Sequence, residues 1–343
     1  MTPSLPLLLI SLVTFLVAWR GTGWFREYAL RQRLLDHPNE RSSHTRPTPR
    51  GGGLLIAATS LVGLLLLPVF GALSWSAAVG LVGGGLVVAG VGMADDRGHI
   101  AARWRLLCHF SAAAWALYWC GGLPALPVFG RDLSLGWIAP LIGALYVVWM
   151  LNLTNFMDGI DGLAAGEAVT VTLGGAAAAW LAAPDAAHWV APVVVAAGAL
   201  GFLVWNWPPA RIFMGDVGSG YLGFIVAGLS LVAAQNAPRL FWAWVVLSGV
   251  FVVDATTTLF TRLARGERPY EAHRTHAYQR LALAWGGHRP VTLGVVAINV
   301  VWLLPLALLV AARRVDGLVA VVVAYIPLLV LALRSGAGKP NRP

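Results

Sequence analysis

Long apolar runs without a single formal charge constrain this chain more than any other feature. The clearest are residues 54–70, 191–205 and 291–312. Each comes close to the roughly 20 residues that a helix needs to cross the hydrocarbon core of a bilayer. Runs of this length, repeated along the chain, predict an all-α polytopic membrane protein.

Composition excludes the other broad classes. Of 343 residues, 58% are apolar and only 11% are charged, whereas a soluble domain usually carries about a quarter charged residues. A soluble enzyme, a secreted disulfide scaffold and a disordered chain are therefore excluded. Lys339 is the only lysine among 24 basic residues, which also excludes Schiff-base chemistry and a phosphate-binding P-loop.

The apolar runs and their flanks predict about eleven transmembrane helices in a single domain, residues 1–343. The predicted spans are residues 3–19, 53–70, 75–93, 105–121, 133–153, 163–183, 188–207, 220–234, 240–263, 291–312 and 317–333. The first span has no basic segment before it and no small-residue cleavage site after it, so we expect it to be retained.

Arginine placement predicts the orientation. Twenty of the 24 basic residues fall in segments on one side of the predicted membrane, and four, Arg131, Arg239, Arg313 and Arg314, fall on the other. The positive-inside rule places the twenty in the cytoplasm, with the N-terminus periplasmic and the C-terminus cytoplasmic. This accounts for the net charge of +9 without nucleic acid, which we do not expect as a partner. Segments 20–53, 94–105, 155–163, 207–219 and 263–290 are predicted to form cytoplasmic active-site loops.

Two adjacent aspartates, Asp95 and Asp96, close the third predicted span. Neighbouring residues point about 100° apart on a helix, so the pair is not a side-by-side acid and base. We expect one to face a ligand or metal and the other an arginine or a backbone amide. A solvated helix end is the alternative, although an aspartate there opposes the helix dipole.

A second polar cluster recurs at a spacing of three: Asn152, Asn155, Asp158 and Asp161. A break near Gly159 would bring these groups together. Carbonyl and carboxylate oxygens are hard ligands suited to Mg²⁺, so the cluster predicts a cation site. A polar cap at the end of a helix is the alternative.

The third cluster surrounds Asp216, which lies between glycines immediately before a predicted span. This is the pattern of an anion or metal–phosphate site at a helix N-terminus, with a simple N-cap role for Ser219 as the alternative. Arg211 lies in the same loop.

Two further loops bring cations. His273, Arg274 and His276 occur with interleaved tyrosines, a pattern suited to a diphosphate because guanidinium grips phosphate oxygens as a planar fork. His44 and Arg50 add cations to the first loop. Asp254 falls inside the ninth predicted span, where an ionisable group needs a partner, and we expect it to serve packing or to support the site.

In order along the chain, the segments SSHTRPTPRGGG, MADDR, NLTNFMDGIDGLAAG, WNWPPARIFMGDVGSG and AHRTHAYQR resemble those of the polyprenyl-phosphate N-acetylhexosamine-1-phosphate transferases (glycosyltransferase family 4). The resemblance spans nearly the whole chain. This family includes the enzymes that initiate O-antigen or teichoic-acid synthesis and the phospho-MurNAc-pentapeptide translocases.

The resemblance implies transfer of a sugar 1-phosphate from a UDP-N-acetyl sugar to undecaprenyl phosphate with release of UMP, in the bacterial inner membrane. It implies Mg²⁺, with Mn²⁺ as an alternative. The roles it implies are catalysis for Asp95 and Asp96, metal binding for Asp216 and Asn155, and substrate binding for Asn152, Asp158, Asp161, Arg211, His273, Arg274, His276, His44 and Arg50. A homodimer is left open.

One departure bears on specificity. Where other branches carry three consecutive histidines or a His-x-His-His segment, this chain has His276-Ala-Tyr-Gln279. The departure favours an O-antigen-initiating transferase that accepts fucosamine- or quinovosamine-type sugars. The alternatives are a translocase-type enzyme and, from another class, an ion-coupled transporter, in which ionisable residues would lie near the bilayer midplane.

Overall fold

The computed structural model describes residues 5–36, 38, 46–98, 100–268 and 273–340. The helices are α1 Leu5–Arg31, α2 Gly53–Leu66, α3 Trp75–Arg97, α4 Ala102–Trp119, α5 Ala139–Met157, α6 Leu163–Ala182, α7 Val190–Asn206, α8 Asp216–Asn236, α9 Arg239–Leu247, α10 Gly249–Leu263, α11 Ala277–Ala284, α12 His288–Ile298, α13 Leu304–Ala311 and α14 Gly317–Arg334. Short 3₁₀ turns cover Leu67–Phe70, Gly136–Ile138 and Ala187–Trp189, and a π-helical turn covers Asn299–Leu303.

Strands are confined to two short antiparallel hairpins in the described residues. β1 (Leu35–Asp36) pairs with β2 (Thr48–Pro49), and β3 (Leu126–Val128) pairs with β4 (Arg131–Leu133). The helices share one continuous hydrophobic core. The prediction of a helical, multi-pass membrane protein is therefore confirmed.

The number of spans is smaller than the predicted eleven. Within the described residues, nine helical segments are long and apolar enough to cross a membrane, and the bent pair α9–α10 brings the number to ten. The predicted span 105–121 forms α4, but Arg103 and Arg105 lie in its first turn and lower its hydropathy. The first predicted loop, residues 20–53, also begins later than expected. Helix α1 continues to Arg31, well beyond the predicted loop start at residue 20.

The predicted span 240–263 is not one straight helix. α9 ends at Leu247 and α10 begins at Gly249, and the two axes differ by 69°. The break lies at Ser248, inside the uncharged stretch 240–253, so hydropathy carried no sign of the bend. The break places Asp254 one and a half turns into α10, facing the segment that leads into α11.

Helix α8 lies at the centre of the bundle and is the most buried of the candidate spans. It packs against α2, α3, α5, α6 and α9. Close approach to α3 depends on Gly92, because a Cβ there would lie 2.6 Å from the backbone of Asp216 and Val217. Small residues allow such close backbone contact between membrane helices, and this contact brings the end of α3 to the start of α8.

Candidate active site

The first residue of α8, Asp216, meets the last turn of α5. Asn155 donates its side-chain amide to Asp216 Oδ1 at 3.0 Å and to Ser219 Oγ at 2.9 Å. The predicted metal ligands Asp216 and Asn155 are therefore neighbours, although they are 61 residues apart in sequence. Ser219 lies within the first turn of α8 rather than at its N-cap.

Asp96 caps the N-terminus of α8 from the end of α3. Its carboxylate accepts the backbone N–H of Asp216 at 3.1 Å and of Val217 at 3.2 Å. Of the two forms predicted for this site, an anion bound directly by these N–H groups does not fit, because Asp96 occupies them, and a metal–phosphate site beside Asp216 stays a prediction. A carboxylate here is favoured by the helix dipole, which resolves the unfavourable position of Asp96 at the end of its own helix.

The residue before α8 must be glycine for this cap to form. Gly215 has a φ of +77°, and a Cβ on it would lie 2.5 Å from Asp96 Oδ2. Any side chain would strain the backbone and displace the carboxylate. The glycine next to Asp216 therefore fixes the contact between α3 and α8.

Asp95 points to a different neighbour, Arg105 of α4. The Arg105 Nη1 atom forms a short ion pair with Asp95 Oδ2 and lies 3.3 Å from Asp216 Oδ2. Asp95 Oδ1 also accepts the backbone N–H of Ile100 at 2.7 Å. One guanidinium thus bridges carboxylates of α3 and α8, and the two adjacent aspartates serve different partners, as their angular separation indicated.

Arg105 was not among the residues predicted from the sequence. Arg103 and Arg105 both open α4, and only the packing of α4 beside α3 distinguishes them. Arg103 lies over the Trp104 ring at 5.8 Å. The sequence offered one signal for Arg105, an arginine ten residues after Asp95. This spacing is weak evidence of an ion pair unless the start of α4 is known.

Asp158 lies in the break between α5 and α6, which spans residues 158–162. Burial, together with the negative charges of Asp216, Asp96 and Asp161, raises the pKa of Asp158 well above its ordinary value. Carboxylates therefore outweigh cations around it, a condition that favours binding of a cation. Asn152 remains apart, since its side-chain amide donates to the Val148 carbonyl of its own helix at 2.7 Å.

Asp161 organises the segment that precedes α8. Its carboxylate accepts the backbone N–H of Ala210 at 3.0 Å and lies 3.2 Å from His288 Nδ1. Buried Asn206 binds the same two segments, through the Gly162 N–H at 2.9 Å and the Ile212 carbonyl at 3.0 Å. Neither Asn206 nor His288 was predicted, because their partners are set by loop packing.

Arg211 is exposed and faces α1 and α7 rather than the aspartates. Its guanidinium lies 5.8 Å from the Trp205 ring, and its backbone carbonyl accepts from Arg26 Nε at 3.3 Å. No described contact brings Arg211 to the cluster. Its predicted substrate-binding role stays a prediction.

The loop before α11 is anchored by Asp254. Its carboxylate accepts the backbone N–H groups of Ala277 at 3.0 Å and Tyr278 at 2.9 Å, and Oδ1 lies 3.2 Å from His276 Nδ1. Asp254 thus supports the predicted site by fixing His276.

Tyr278 and Gln279, which stand where other branches of the family carry histidines, have a structural role. Tyr278 donates its hydroxyl to the Phe156 carbonyl at 3.0 Å, and Gln279 Oε1 accepts the backbone N–H of His276 at 3.3 Å. A Cβ on Gly159 would overlap the Tyr278 hydroxyl and reach Gln279 Nε2. The two residues therefore dock the loop before α11 onto the break after α5.

The two other predicted residues of this loop are also placed close by. His273 stacks on His276 with ring centroids 4.9 Å apart, and its Nδ1 lies 2.9 Å from Thr275 Oγ1. Burial, with the charges of His276 and Arg262, lowers the pKa of His273 to about 4, so this imidazole is neutral at pH 7. Arg274 is half-buried, and its charge acts on the Tyr278 hydroxyl.

The first loop contributes Arg50. Its Nη2 atom lies 3.3 Å from Asp96 Oδ1 and also donates to the Asp96 carbonyl. Backbone hydrogen bonds from Gly52 to Phe213 and from Gly53 to Met214 hold this loop against the segment before α8. The predicted residue His44 lies outside the described residues.

A cavity of about 950 Å³ opens beside these groups. Its lining includes the charged residues Asp95, Asp96, Asp216 and Arg50 and the apolar residues Phe25 and Leu54. A lining of both charged and apolar side chains suits an amphiphilic ligand with a charged head. The structure thus brings five separate chain segments to one end of the bundle.

The donor chemistry fits a hard divalent cation. Asp216 offers a carboxylate, and Asn155 keeps its carbonyl oxygen because its NH₂ group is bound by Asp216 and Ser219. Within the described residues, no group of three or more His, Cys, Asp or Glu side chains is arranged to hold a metal alone. Mg²⁺ commonly binds through one or two carboxylates with substrate phosphates completing its shell, so these residues fit a metal that binds with a phosphorylated substrate.

The sequence of the chain is similar to those of known proteins. Residues 78–234 match the family model for glycosyl transferase family 4. The chain is 30% identical over 333 residues to the decaprenyl-phosphate N-acetylglucosaminephosphotransferase of Mycolicibacterium smegmatis, covering 85% of this chain and 79% of the relative. It is 28% identical over 300 residues to the probable undecaprenyl-phosphate N-acetylglucosaminyl 1-phosphate transferase of Bacillus subtilis, covering 86% and 81%.

A third relative represents another branch. The chain is 32% identical over 269 residues to the phospho-N-acetylmuramoyl-pentapeptide-transferase of Moorella thermoacetica, covering 74% of this chain and 81% of the relative. These matches extend over most of both chains, and residues 78–234 of the family-model match include Asp95, Asp96, Asn155 and Asp216. The chain belongs to the polyprenyl-phosphate N-acetylhexosamine-1-phosphate transferases.

Proposed function

We propose that this protein transfers an N-acetylated sugar 1-phosphate from a UDP-N-acetylhexosamine to undecaprenyl phosphate, releasing UMP and forming an undecaprenyl-diphospho-sugar. The observation that carries the proposal is the meeting of Asp95, Asn155 and Asp216 from α3, α5 and α8 beside a cavity lined by both charged and apolar side chains. The acceptor and the sugar class follow the names of the relatives in Bacillus subtilis and Mycolicibacterium smegmatis.

Both substrates are anions, so their mutual repulsion is the first barrier. Arg50 lines the cavity, Arg105 binds the lining residues Asp95 and Asp216, and each of the two guanidinium groups is already oriented by an aspartate. Preorganised cations stabilise charge on a transferring phosphoryl group without reorganising during the reaction. Mg²⁺ held by Asp216 and Asn155 would supply further neutralisation of the diphosphate.

The acceptor needs no strong base. The second pKa of a phosphate monoester is about 6, so undecaprenyl phosphate is largely a dianion at neutral pH. We therefore favour a single displacement, in which an acceptor phosphate oxygen attacks the β-phosphorus of the UDP-sugar. The bond from that phosphorus to the UMP oxygen breaks, and UMP leaves with the bonding electron pair.

The partners of the aspartate pair support this mechanism over an aspartyl-phosphate intermediate. Both Asp96 oxygens accept backbone N–H groups of α8, and both Asp95 oxygens are bound, by Ile100 and Arg105. Asp95 is the better candidate to position the acceptor, because its guanidinium partner also reaches Asp216. A phosphorylated enzyme trapped with UDP-sugar alone would overturn the single displacement.

We propose that the reaction takes place at the cytoplasmic face of the bacterial inner membrane, as the first membrane step in O-antigen or another cell-envelope glycan. Support comes from the arginine distribution and from the position of the cluster at one end of the bundle. That position also argues against a transporter, whose ionisable site would lie near mid-membrane. The buried Asp254 is accounted for by the cap on α11.

The test uses purified full-length protein with undecaprenyl phosphate, Mg²⁺ and a panel of UDP-GlcNAc, UDP-fucosamine- and quinovosamine-type sugars and UDP-MurNAc-pentapeptide. We expect UMP and lipid-linked product in equal amounts with at least one N-acetylhexosamine donor. Product with the MurNAc-pentapeptide donor alone would establish the translocase-type alternative. Ion flux in vesicles, without UMP release from any donor, would contradict the proposal.

A further inference from the structure

A second cavity lies at the opposite end of the bundle. It has a volume of about 170 Å³ and is enclosed by the C-terminal ends of α6 and α8, the start of α7 and the start of α9. Helix α8 has 21 residues, which at about 1.5 Å per residue separates this cavity from Asp216 by roughly 30 Å. The volume is well above the 10–15 Å³ or so that a single water needs.

A buried tryptophan lines this cavity. The Trp244 side chain is 1% exposed and contributes to the lining. Its indole Nε1 has no hydrogen-bond partner within the described part of the chain. Because the indole belongs to the lining, its N–H signal can report on a molecule that enters the cavity.

The mouth of the cavity carries two arginines. Arg239 and Arg313 both line it, and their positive charges repel each other. Arg239 is also the first residue of α9, where the helix dipole adds further positive potential. Arg313 has a φ of +58°, a left-handed conformation that is unfavourable for a residue with a side chain.

No carboxylate balances these charges within the described lining. The neighbouring Asp316 is occupied as the cap of α14 and by the backbone N–H of Phe129 at 2.7 Å. The described lining therefore has two arginines and no carboxylate, and Arg239 is held in place by its Nε bond to the Ala311 carbonyl at 2.8 Å. These features are also on the membrane face that has only four of the 24 basic residues.

We propose that this cavity binds a phosphoryl anion, with Arg239 and Arg313 at its charge. Guanidinium groups complement phosphate oxygens. The anion can belong to the headgroup of an anionic phospholipid in the adjacent leaflet or to free phosphate. The site is independent of the proposed transfer reaction.

The experiment follows the ¹⁵N-labelled tryptophan indole signals of the full-length protein in a zwitterionic detergent. The signal that is absent from Trp244→Phe identifies Trp244. Short-chain phosphatidylglycerol, phosphatidylcholine and inorganic phosphate are titrated separately. A shift with phosphatidylglycerol but not phosphatidylcholine supports a lipid headgroup, and a shift with inorganic phosphate supports a free anion.

Arg313→Gln supplies a variant at an exposed position that should fold normally, and Arg314→Gln is its matched control because Arg314 does not line the cavity. We expect the apparent Kd to rise about tenfold in Arg313→Gln, the effect of losing one hydrogen bond from a charged donor, and to stay unchanged in Arg314→Gln. Both variants should retain transfer activity. No Trp244 shift with either probe, or equal weakening in the two variants, would overturn the proposal.

Discussion

Two aspartates stabilise two helix N-termini in the same way but in different surroundings. Asp96 accepts the first N–H groups of α8, and Asp254 accepts the first N–H groups of α11. Their side chains are similarly buried, 10% and 8% exposed. Beyond Asp96 lies the polar cavity of about 950 Å³, whereas the cavity that Asp254 lines is apolar and only about 70 Å³.

The difference separates a residue that shapes the site from one that supports it. Asp96 stands between Arg50 and Asp216, which both line the large cavity. Asp254 is enclosed by His276 and Thr258 and acts on the site only through the loop it holds. We therefore expect changes near Asp96 to alter chemistry and changes near Asp254 to alter stability as well.

The largest effect is expected at the start of α8. Asp216→Asn removes the carboxylate proposed for the metal and should lower kcat by about 100- to 1,000-fold, the range for losing a key electrostatic group. Ser219→Ala is the control, since it removes a contact to Asn155 and no charge. Initial rates of UMP release measure both, and wild-type rates in Asp216→Asn would remove this residue from the site.

The direct test of the comparison pairs Asp96→Asn with Asp254→Asn. We expect kcat to fall about 100-fold in the first. In the second we expect a fall of about tenfold and a Tm lower by about 5 °C, because a buried charged hydrogen-bond acceptor is lost far from the cavity. Rates and thermal unfolding are measured on the same preparations. Equal kinetic and thermal losses in the two variants would erase the distinction.

The guanidinium that bridges Asp95 and Asp216 should matter next. Arg105→Gln should lower kcat by about 30-fold, because it removes a preorganised cation from two aspartates that line the cavity. Arg103→Gln, two residues earlier and placed against Trp104, should leave kcat within twofold. Equal losses in both would show that only the overall positive charge of α4 is important.

Arg274 belongs to the loop that Asp254 supports. Arg274→Ala should raise the KM for the UDP-sugar and lower kcat, each by about tenfold, if its guanidinium contacts the diphosphate. Arg265→Ala is a matched control, because Arg265 is ion-paired with Glu267 in the preceding turn. Steady-state kinetics in Arg274→Ala that match those of the wild type would indicate that the basic residues of this loop serve only to set the membrane topology.

The smallest effect is expected at the loop contact itself. Tyr278→Phe removes one hydrogen bond to the Phe156 carbonyl, worth about 1 kcal/mol, and should lower kcat/KM by about threefold. Tyr325→Phe removes a comparable bond to the Val245 carbonyl inside the bundle and should leave kcat/KM unchanged. A loss confined to Tyr325→Phe would contradict the support role of this loop.

Much of the fold and part of the site followed from local pattern. Apolar length and charge identified the membrane helices, and aspartates beside glycines indicated which helix ends meet. The convergence of Asp95, Asn155 and Asp216 agrees with that expectation. Their catalytic and metal-binding roles remain predictions that the variants above test.

Other features depend on packing between distant segments. The 69° break between α9 and α10 occurs in an apolar run with no charge to mark it. Arg105 rather than Arg103 contacts Asp95 and Asp216 only because of the way α4 packs beside α3. The donors at the start of α8 seemed available to an anion, and Asp96, 120 residues away, proved to occupy them.

Asp216 and Asn155 are proposed to hold a divalent cation together with the substrate diphosphate. Mn²⁺ in place of Mg²⁺ allows electron–nuclear double resonance to detect ³¹P nuclei close to the metal. We predict ³¹P coupling from a bound UDP-N-acetylhexosamine in the wild-type protein and its loss in Asp216→Asn. Undiminished coupling in Asp216→Asn, or no coupling in the wild type with saturating sugar nucleotide, would contradict the account.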